Sequence, residues 1–234
     1  MVSNRTLLTF IVVLACCTII SLSVFAFLFL DLQGQIARIR ARMPVEGLER
    51  QIGASSDDCQ RVYVPDVFNL TERGEVAGVY DTTRYKYGTG LRFTNIVIPK
   101  GSTIRSAYLK FCAHNTLSGT AVNTRISAWA TDNAPTFTDK TDFDNRYGNR
   151  TAARVNWDNI GSWQVSSWYM SPDISVVVQE LINRPNWASG NAVVLFFEDF
   201  DGRSTLGEGA YREFSSYNVH PEISAKLYVN WTAP

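Results

Sequence analysis

The 234-residue sequence predicts an all-β domain, an antiparallel sandwich with one short packed helix, behind an N-terminal transmembrane helix and a short stalk. Three observations support this prediction: an uncharged apolar run near the N-terminus, a series of strand-like segments after residue 59, and one segment with helical periodicity. Hydrophobic residues make up 45% of the chain and charged residues 19%, which excludes a largely disordered protein. The 22 basic residues balance the 22 acidic ones, so we expect no nucleic acid partner.

The apolar run covers residues 7–30 and contains no charged side chain. As a helix rising about 1.5 Å per residue it would be about 36 Å long, enough to cross a hydrocarbon core of about 30 Å. A cleaved signal peptide and a lipoprotein signal ending before Cys16 are the alternatives. Bulky residues such as Phe27 and Phe29 at the far end of the run fit signal peptidase poorly. We therefore expect an uncleaved anchor, with residues 1–6 as a cytoplasmic tip.

The orientation of the anchor follows from two opposing signals. Four arginines after the run would keep the C-terminal side in the cytoplasm, but long domains cross largely regardless of flanking charge. Three N-glycosylation sequons suit an exported domain, with acceptors at Asn69, Asn149 and Asn230. We expect a single-pass membrane protein whose C-terminal domain is extracellular.

Residues 31–58 are predicted to form a stalk and linker. Leu32, Ile36, Ile39 and Met43 recur at spacings of three and four, which places them on one stripe of a helix. The stripe indicates either a brief oligomeric coiled coil or a helix that extends the anchor. Residues 53–58 are small and polar, as in a hinge.

Residues 59–234 are predicted to be the β-sandwich domain. Its strand-like segments are short, rich in β-branched and aromatic residues, and bounded by Gly, Pro, Asn or Asp. They are residues 61–70, 91–99, 103–114, 123–131, 191–199 and 222–231. Short alternating strands at such intervals are typical of an antiparallel sandwich or barrel.

One segment of the domain has the period of a helix. Ser171 is expected to cap it and Pro172 to occupy its first position. Its apolar residues fall at three-four spacing and would pack on the sandwich: Ile174, Val177, Val178, Leu181 and Ile182.

Two blocks of this domain resemble a known family. Residues 98–109, IPKGSTIRSAYL, together with Arg92 and Phe93, resemble the opening of DNRLRE-type extracellular β-sandwich domains, which are similar to carbohydrate-binding module family 96. Residues 172–192 resemble the helix and following strand of the same group. The resemblance continues near the end through Arg212, Ser215, Pro221 and Tyr228. It implies a jelly-roll fold and extracellular attachment or glycan binding.

Two aromatic clusters are candidates for ligand binding. They are Tyr80, Tyr85 and Tyr87 in one polar stretch, and Trp163, Trp168 and Tyr169 in another. Exposed aromatic rings in loops would suit stacking on sugar rings. The alternative is that these rings cover the ends of the sandwich.

Two acidic loops are candidates for a structural calcium site. Asp199 and Asp201 belong to one loop, and Asp142 and Asp144 to the other. Calcium takes about six to eight oxygen ligands, so a site would need both loops. The alternative is that each is an ordinary solvated loop.

The domain contains two cysteines, Cys59 and Cys112, which could form a disulfide in an oxidising compartment. The alternative is a buried thiol in a strand and a free thiol at the linker. His114 and His220 lie in no recognisable nucleophile or metal motif, so we expect no enzyme.

The sequence thus predicts a membrane-tethered binding or adhesion module whose partner is a glycan or a surface protein. The alternative function is a structural surface or filament subunit that self-assembles into a homo-oligomer through the sandwich and the stalk.

Overall fold

The computed structural model describes residues 24–36, 38, 44–80, 85–116 and 118–234, in two compact units, Met1–Pro44 and Val45–Pro234. In the first unit residues 24–36 are helical, and their large apolar side chains are exposed. Residues 7–23 of the predicted anchor, and Ile39 and Met43 of the predicted stripe, lie outside the described residues. Within the described part of the chain, no helix combines the length and apolar character needed to cross a membrane.

The described residues of the second unit form twelve strands, two α-helices and one 3-10 turn at Pro221–Ile223. The strands are β1 (Val45–Gln51), β2 (Asp58–Val62), β3 (Val67–Asn69), β4 (Gly74–Tyr80), β5 (Tyr85–Ile96), β6 (Thr103–Cys112), β7 (Val122–Ala128), β8 (Val155–Ile160), β9 (Trp168–Met170), β10 (Asn191–Glu198), β11 (Tyr211–Ser215) and β12 (Lys226–Thr232). The helices are α1 (Lys140–Gly148) and α2 (Ser175–Ile182).

The strands form two antiparallel sheets on a shared core. The smaller sheet has the order β1-β12-β6-β9, and the larger has β11-β4-β5-β10-β7-β8, with β2 paired to β5 and β3 paired to β2. Phe111 and Leu227 of the smaller sheet belong to the same buried cluster as Leu195 and Phe197 of the larger one. The predicted all-β sandwich is therefore confirmed.

The domain begins earlier than the sequence predicted. Residues 45–51, which we assigned to the stalk, form β1 at the edge of the smaller sheet, in register with β12 from Val45 opposite Thr232 to Gln51 opposite Lys226. An edge strand needs little apolar surface, and in β1 only Leu48 is buried. The remainder of the predicted linker is also part of the domain, since Asp57 forms an ion pair with Arg92 at 2.7 Å.

Helix α2 confirms the predicted apolar stripe but not the predicted cap. All five stripe residues are buried in the shared core. The helix begins at Ser175, with Ile174 as N-cap and no side-chain cap hydrogen bond. The Ser171 hydroxyl instead accepts from the Leu109 backbone N–H at 3.0 Å. Ser171 therefore fastens the segment to β6, and the cap prediction is wrong.

Helix α1 was not predicted, because among its nine residues Phe143 and Tyr147 are the large apolar ones. The Asp139 carboxylate caps it by accepting from the Asp142 N–H at 2.9 Å. Phe143 packs edge-on against Phe196 of β10 at 5.4 Å between ring centroids. The helix thus covers a second apolar cluster, which also includes Cys59.

Candidate functional site

Aromatic and polar groups converge on a groove of about 380 Å³, which we call the tyrosine groove. Its aromatic floor consists of Tyr80, Tyr85, Tyr87 and Tyr211. Its polar groups are Gln60, Asn69, Glu72, Arg73 and Glu213. A volume of this size lies within the range of about 300–1,000 Å³ that small-molecule sites occupy.

The strand period and the register bring the tyrosines together. Successive side chains of a strand point to opposite faces, so Tyr85 and Tyr87 share one face of β5. Tyr80 lies opposite Tyr85, and Gly78 lies opposite both Tyr87 and Tyr211. Because Gly78 has no side chain, the rings of its two neighbours face the groove across it.

Tyr80 is the centre of the aromatic floor. Its ring centroid lies 5.6 Å from that of Tyr211 and 6.1 Å from that of Tyr85, both in stacked arrangements. Tyr87 meets Tyr80 edge-on at 6.2 Å. The Tyr80 side chain is 39% exposed and Tyr211 only 6%, so the floor presents one open ring supported by more buried ones.

The buried rings stay protonated at physiological pH. Burial raises the pKa of Tyr87 to about 12, assisted by the neighbouring tyrosine Tyr80. Burial also raises the pKa of Tyr211 to about 12, assisted by the Glu213 carboxylate. The groove therefore offers neutral phenols as hydrogen-bond donors and acceptors.

Carboxylates and an amide lie along the groove, held by their own hydrogen bonds. The Glu213 carboxylate accepts from the Asn115 side-chain amide at 3.0 Å, and its side chain lies over Gly74, where a Cβ would sit 2.2 Å from Glu213 Oε1. The Glu72 carboxylate accepts from the Asn69 side-chain amide at 2.7 Å. These contacts orient acceptor oxygens, which still have free lone pairs for hydroxyl donors.

Two carboxylic acids on the groove strands point into the protein. Asp58 of β2 is 1% exposed and Glu75 of β4 is fully buried. One Asp58 oxygen accepts from the Tyr217 N–H at 2.7 Å, while both Glu75 oxygens have no hydrogen-bond partner among the described residues. Burial raises the pKa of Asp58 to about 7 and that of Glu75 well above its usual range. Burial thus favours the neutral acid at Glu75, whereas Asp58 changes its charge near neutral pH.

The structure brings together one of the two predicted aromatic clusters. Tyr80, Tyr85 and Tyr87 all line the groove. Tyr211 and Glu213 were missed, because they come from a strand that is distant in sequence and meets the tyrosines only through the sheet register. A period-two pattern of Tyr211 and Glu213 in one short strand was the available signal.

The second predicted aromatic cluster is separated by the fold. Trp163 is 2% exposed and stacks on Tyr169 at 4.7 Å between ring centroids. The Tyr169 hydroxyl accepts from the Gln164 N–H at 2.8 Å, and its ring packs against the core. Trp168 lies on β9, where the Lys110 ammonium is 5.2 Å from its ring. Trp163 and Tyr169 thus cover the core and do not form an exposed platform with Trp168.

The acidic loops do not assemble a calcium site. The Asp144 carboxylate accepts two hydrogen bonds from the Arg61 guanidinium, at 2.9 and 3.0 Å, and the Asp142 carboxylate accepts one from Arg146 at 2.7 Å. Asp201 pairs with Arg125, and buried Asp199 accepts from the backbone N–H groups of Arg203 and Ser204. In the described ranges no group of three or more His, Cys, Asp or Glu could hold a metal ion. Asp142 and Asp144 lie in helix α1 and not in a loop, and all four carboxylates are held by hydrogen bonds to arginine side chains or backbone N–H groups.

The predicted disulfide is absent, since Cys59 and Cys112 are both free, buried thiols. They lie on β2 and β6, which belong to different sheets. Cys59 is enclosed in the cluster under α1, with its sulfur 3.8 Å from the Gly90 carbonyl oxygen. Burial raises the pKa of both thiols, which keeps them protonated and unreactive.

Comparison with known proteins gives no family. No family model matches the sequence, and no curated protein matches it. Several solved structures are similar at a low level, including the following three. The cryo-EM structure of Mud crab tombus-like virus has 11% identity and a TM-score of 0.28, covering 82% of this chain and 81% of that chain. The family 35 carbohydrate binding module from Clostridium thermocellum has 10% identity and a TM-score of 0.28, covering 81% and 99%.

The third is TmCBM61 in complex with beta-1,4-galactotriose, with 11% identity and a TM-score of 0.24, covering 80% of this chain and 88% of that chain. TM-scores this low support no argument about the function of this chain. The resemblance to DNRLRE-type domains stays a prediction from the sequence.

Proposed function

We propose that this chain is a membrane-tethered, extracellular binding or adhesion module, built on a jelly-roll sandwich, whose tyrosine groove binds a glycan without catalysis. The observation that supports this most is the groove itself. It combines a stacked aromatic floor with oriented carboxylate and amide groups on a rigid sheet.

The chemistry of the groove matches that of a sugar ring. The apolar C–H face of a pyranose can stack on the open face of Tyr80, since aromatic rings offer a large apolar surface. Sugar hydroxyls can then donate to the carboxylates of Glu72 and Glu213, which line the same groove. Charged acceptors make stronger hydrogen bonds to sugar hydroxyl groups than neutral acceptors do. The two carboxylates also repel the negative charge of an acidic sugar, so the groove favours neutral, hydroxyl-rich ligands.

The proposed membrane tether and the proposed export are supported by features of the sequence. The apolar run of residues 7–30 is long enough to anchor the chain, and the three sequons suit an extracellular compartment. An adhesion role requires both, because a glycan on another surface is reached only from outside the cell.

The test is glycan binding by the full-length chain, produced in a host without N-glycosylation so that its three sequons stay unmodified, and purified in a detergent without a sugar head group. We expect wild type to bind neutral oligosaccharides on a glycan array, and Tyr80→Ala to weaken that binding by about tenfold or more, since a stacked ring contributes about 1–3 kcal/mol. Tyr80→Phe keeps the ring and should bind nearly as wild type. Trp168→Ala is the matched control outside the groove. Absence of binding by wild type, or equal binding by Tyr80→Ala, would overturn the proposal.

A second candidate function is self-assembly, which one surface favours. On the smaller sheet Met170 is 57% exposed. The ammonium groups of Lys110 and Lys226 lie over the ring of the neighbouring Trp168, each 5.2 Å from its centroid. Analytical ultracentrifugation of the full-length chain distinguishes the two functions. Concentration-dependent association that Trp168→Ala abolishes, together with no glycan binding, would favour a structural subunit.

A further inference from the structure

The acceptor asparagine of one of the three sequons lines the tyrosine groove. Asn69 is the last residue of β3, opposite Gln60 of β2, and its half-buried side chain lines the groove. Its amide nitrogen donates to the Glu72 carboxylate at 2.7 Å. Its amide oxygen accepts from the Thr71 N–H at 2.9 Å and from the Thr71 hydroxyl at 3.0 Å. The acceptor nitrogen of this sequon is therefore fixed at the groove wall.

The other two sequons lie elsewhere. Asn149 is exposed at the end of α1, and its side-chain amide donates to the Asn145 carbonyl at 2.8 Å. Asn230 is exposed on β12, beside Ser106. Neither lines the tyrosine groove. Glycans at these two positions would project from the surface.

We propose that an N-linked glycan at Asn69 occupies the tyrosine groove and thereby controls the access of other glycans to it. The inference rests on the proposed export and glycan binding, because it assigns a regulator to that same site. In the modification, the Asn69 side-chain nitrogen exchanges one hydrogen for a bond to C1 of a sugar. The sugar comes from a lipid-linked oligosaccharide, whose pyrophosphate departs, and the displaced proton goes to solvent.

The geometry allows the sugar without dismantling the site. The amide nitrogen has two hydrogens, so one can still donate to Glu72 after the other is replaced. The first sugar must then begin at the groove wall, next to carboxylates and in the same cavity as the Tyr80 and Tyr85 rings. A tethered sugar is also favoured over a free one, because its attachment gives it a high effective concentration at the groove.

The test uses the full-length chain produced in a eukaryotic secretory host and purified in detergent. Peptide mass spectrometry measures occupancy at Asn69, and hydroxyl-radical footprinting measures oxidation of Tyr80 and Tyr85. We expect Asn69 to carry glycan and both tyrosines to be oxidised several-fold less than in Thr71→Ala, which keeps Asn69 but removes the sequon. Thr71→Ser keeps the sequon and should be protected as wild type. Trp168 is the internal reference, with equal oxidation in all variants.

Two results would overturn the inference: an unmodified Asn69, or equal tyrosine oxidation in wild type and Thr71→Ala. Footprinting requires no added ligand, so this failure is distinct from failure of the proposed function. If Thr71→Ala binds no glycan on the array although its tyrosines become exposed, glycan binding by the groove is wrong while the shielding by Asn69 stands.

Discussion

The buried guanidinium of Arg212 donates through Nε to the carbonyl oxygen of Gly161 at 2.9 Å. Its other nitrogens reach the carbonyl oxygens of Thr120 at 2.8 Å and Gly209 at 3.1 Å. Within the described ranges no carboxylate forms an ion pair with it, and burial lowers its pKa to about 10, so it remains charged at neutral pH. Arg212 lies between Tyr211 and Glu213 in β11 and therefore holds the groove strand from its opposite face.

We predict that Arg212→Lys destabilises the domain by about 2–4 kcal/mol, since a single ammonium cannot reach all of these carbonyl groups and leaves buried acceptors unsatisfied. Urea unfolding followed by tryptophan fluorescence measures the change. Arg154→Lys, at an exposed position, is the control and should leave the free energy of unfolding unchanged. If Arg212→Lys left the free energy of unfolding unchanged, the carbonyl groups would have found other hydrogen-bond donors.

The strands of the domain differ in how far they could be predicted from the sequence. Alternation predicted β6, which buries one face, and a continuous apolar run predicted β10, which is buried on both faces, because burial leaves its pattern in the sequence. Strand β1 was missed because an edge strand with one buried residue has no such period. The grouping of Tyr80, Tyr85 and Tyr87 was predicted because they lie in one polar stretch, but the contribution of Tyr211 depends on the register of β11 with β4. Register is a tertiary property that local patterns do not encode.

The buried carboxyl group of Asp58 should make stability depend on pH. Its folded pKa of about 7 lies above its ordinary value of 3.8. The unfolded chain therefore releases the proton first, and stability falls as pH rises from about 4 to about 7. Glu75, whose pKa is also raised, extends the loss to higher pH. We predict that Asp58→Asn removes part of this dependence, on the order of 2–4 kcal/mol between pH 4.5 and pH 8.

Asn at position 58 keeps an oxygen acceptor for the Tyr217 N–H, so the variant should fold. Thermal unfolding at both pH values, followed by circular dichroism, measures the effect. Glu46→Gln on β1, where the carboxylate is exposed, serves as control and should retain the wild-type difference. A pH dependence in Asp58→Asn equal to that of wild type would show that Asp58 ionises normally in the fold.

Trp163→Ala and Trp168→Ala should destabilise the domain to different extents. Trp163 is 2% exposed among Phe111 and Tyr169, so Trp163→Ala should cost about 3–5 kcal/mol of folding free energy. Trp168 lies half-buried under lysine side chains, so Trp168→Ala should cost at most about 1–2 kcal/mol. Urea unfolding of both variants is the measurement. Equal losses would place Trp168 in the core as well.

Gly78 is the position where the groove depends on the absence of a side chain. Its φ of +130° is strained for other residues, and a Cβ there would lie 2.5 Å from the Ala210 carbonyl oxygen, a backbone atom that cannot move aside cheaply. We predict that Gly78→Ala destabilises the domain by about 2–3 kcal/mol or more and separates β4 from β11, which removes Tyr211 from the groove. Gly148→Ala is the matched control, because a Cβ there meets nothing within 4 Å. Urea unfolding and hydrogen exchange of residues 74–80 test both variants, and wild-type stability with unchanged exchange in Gly78→Ala would contradict the role of this close approach.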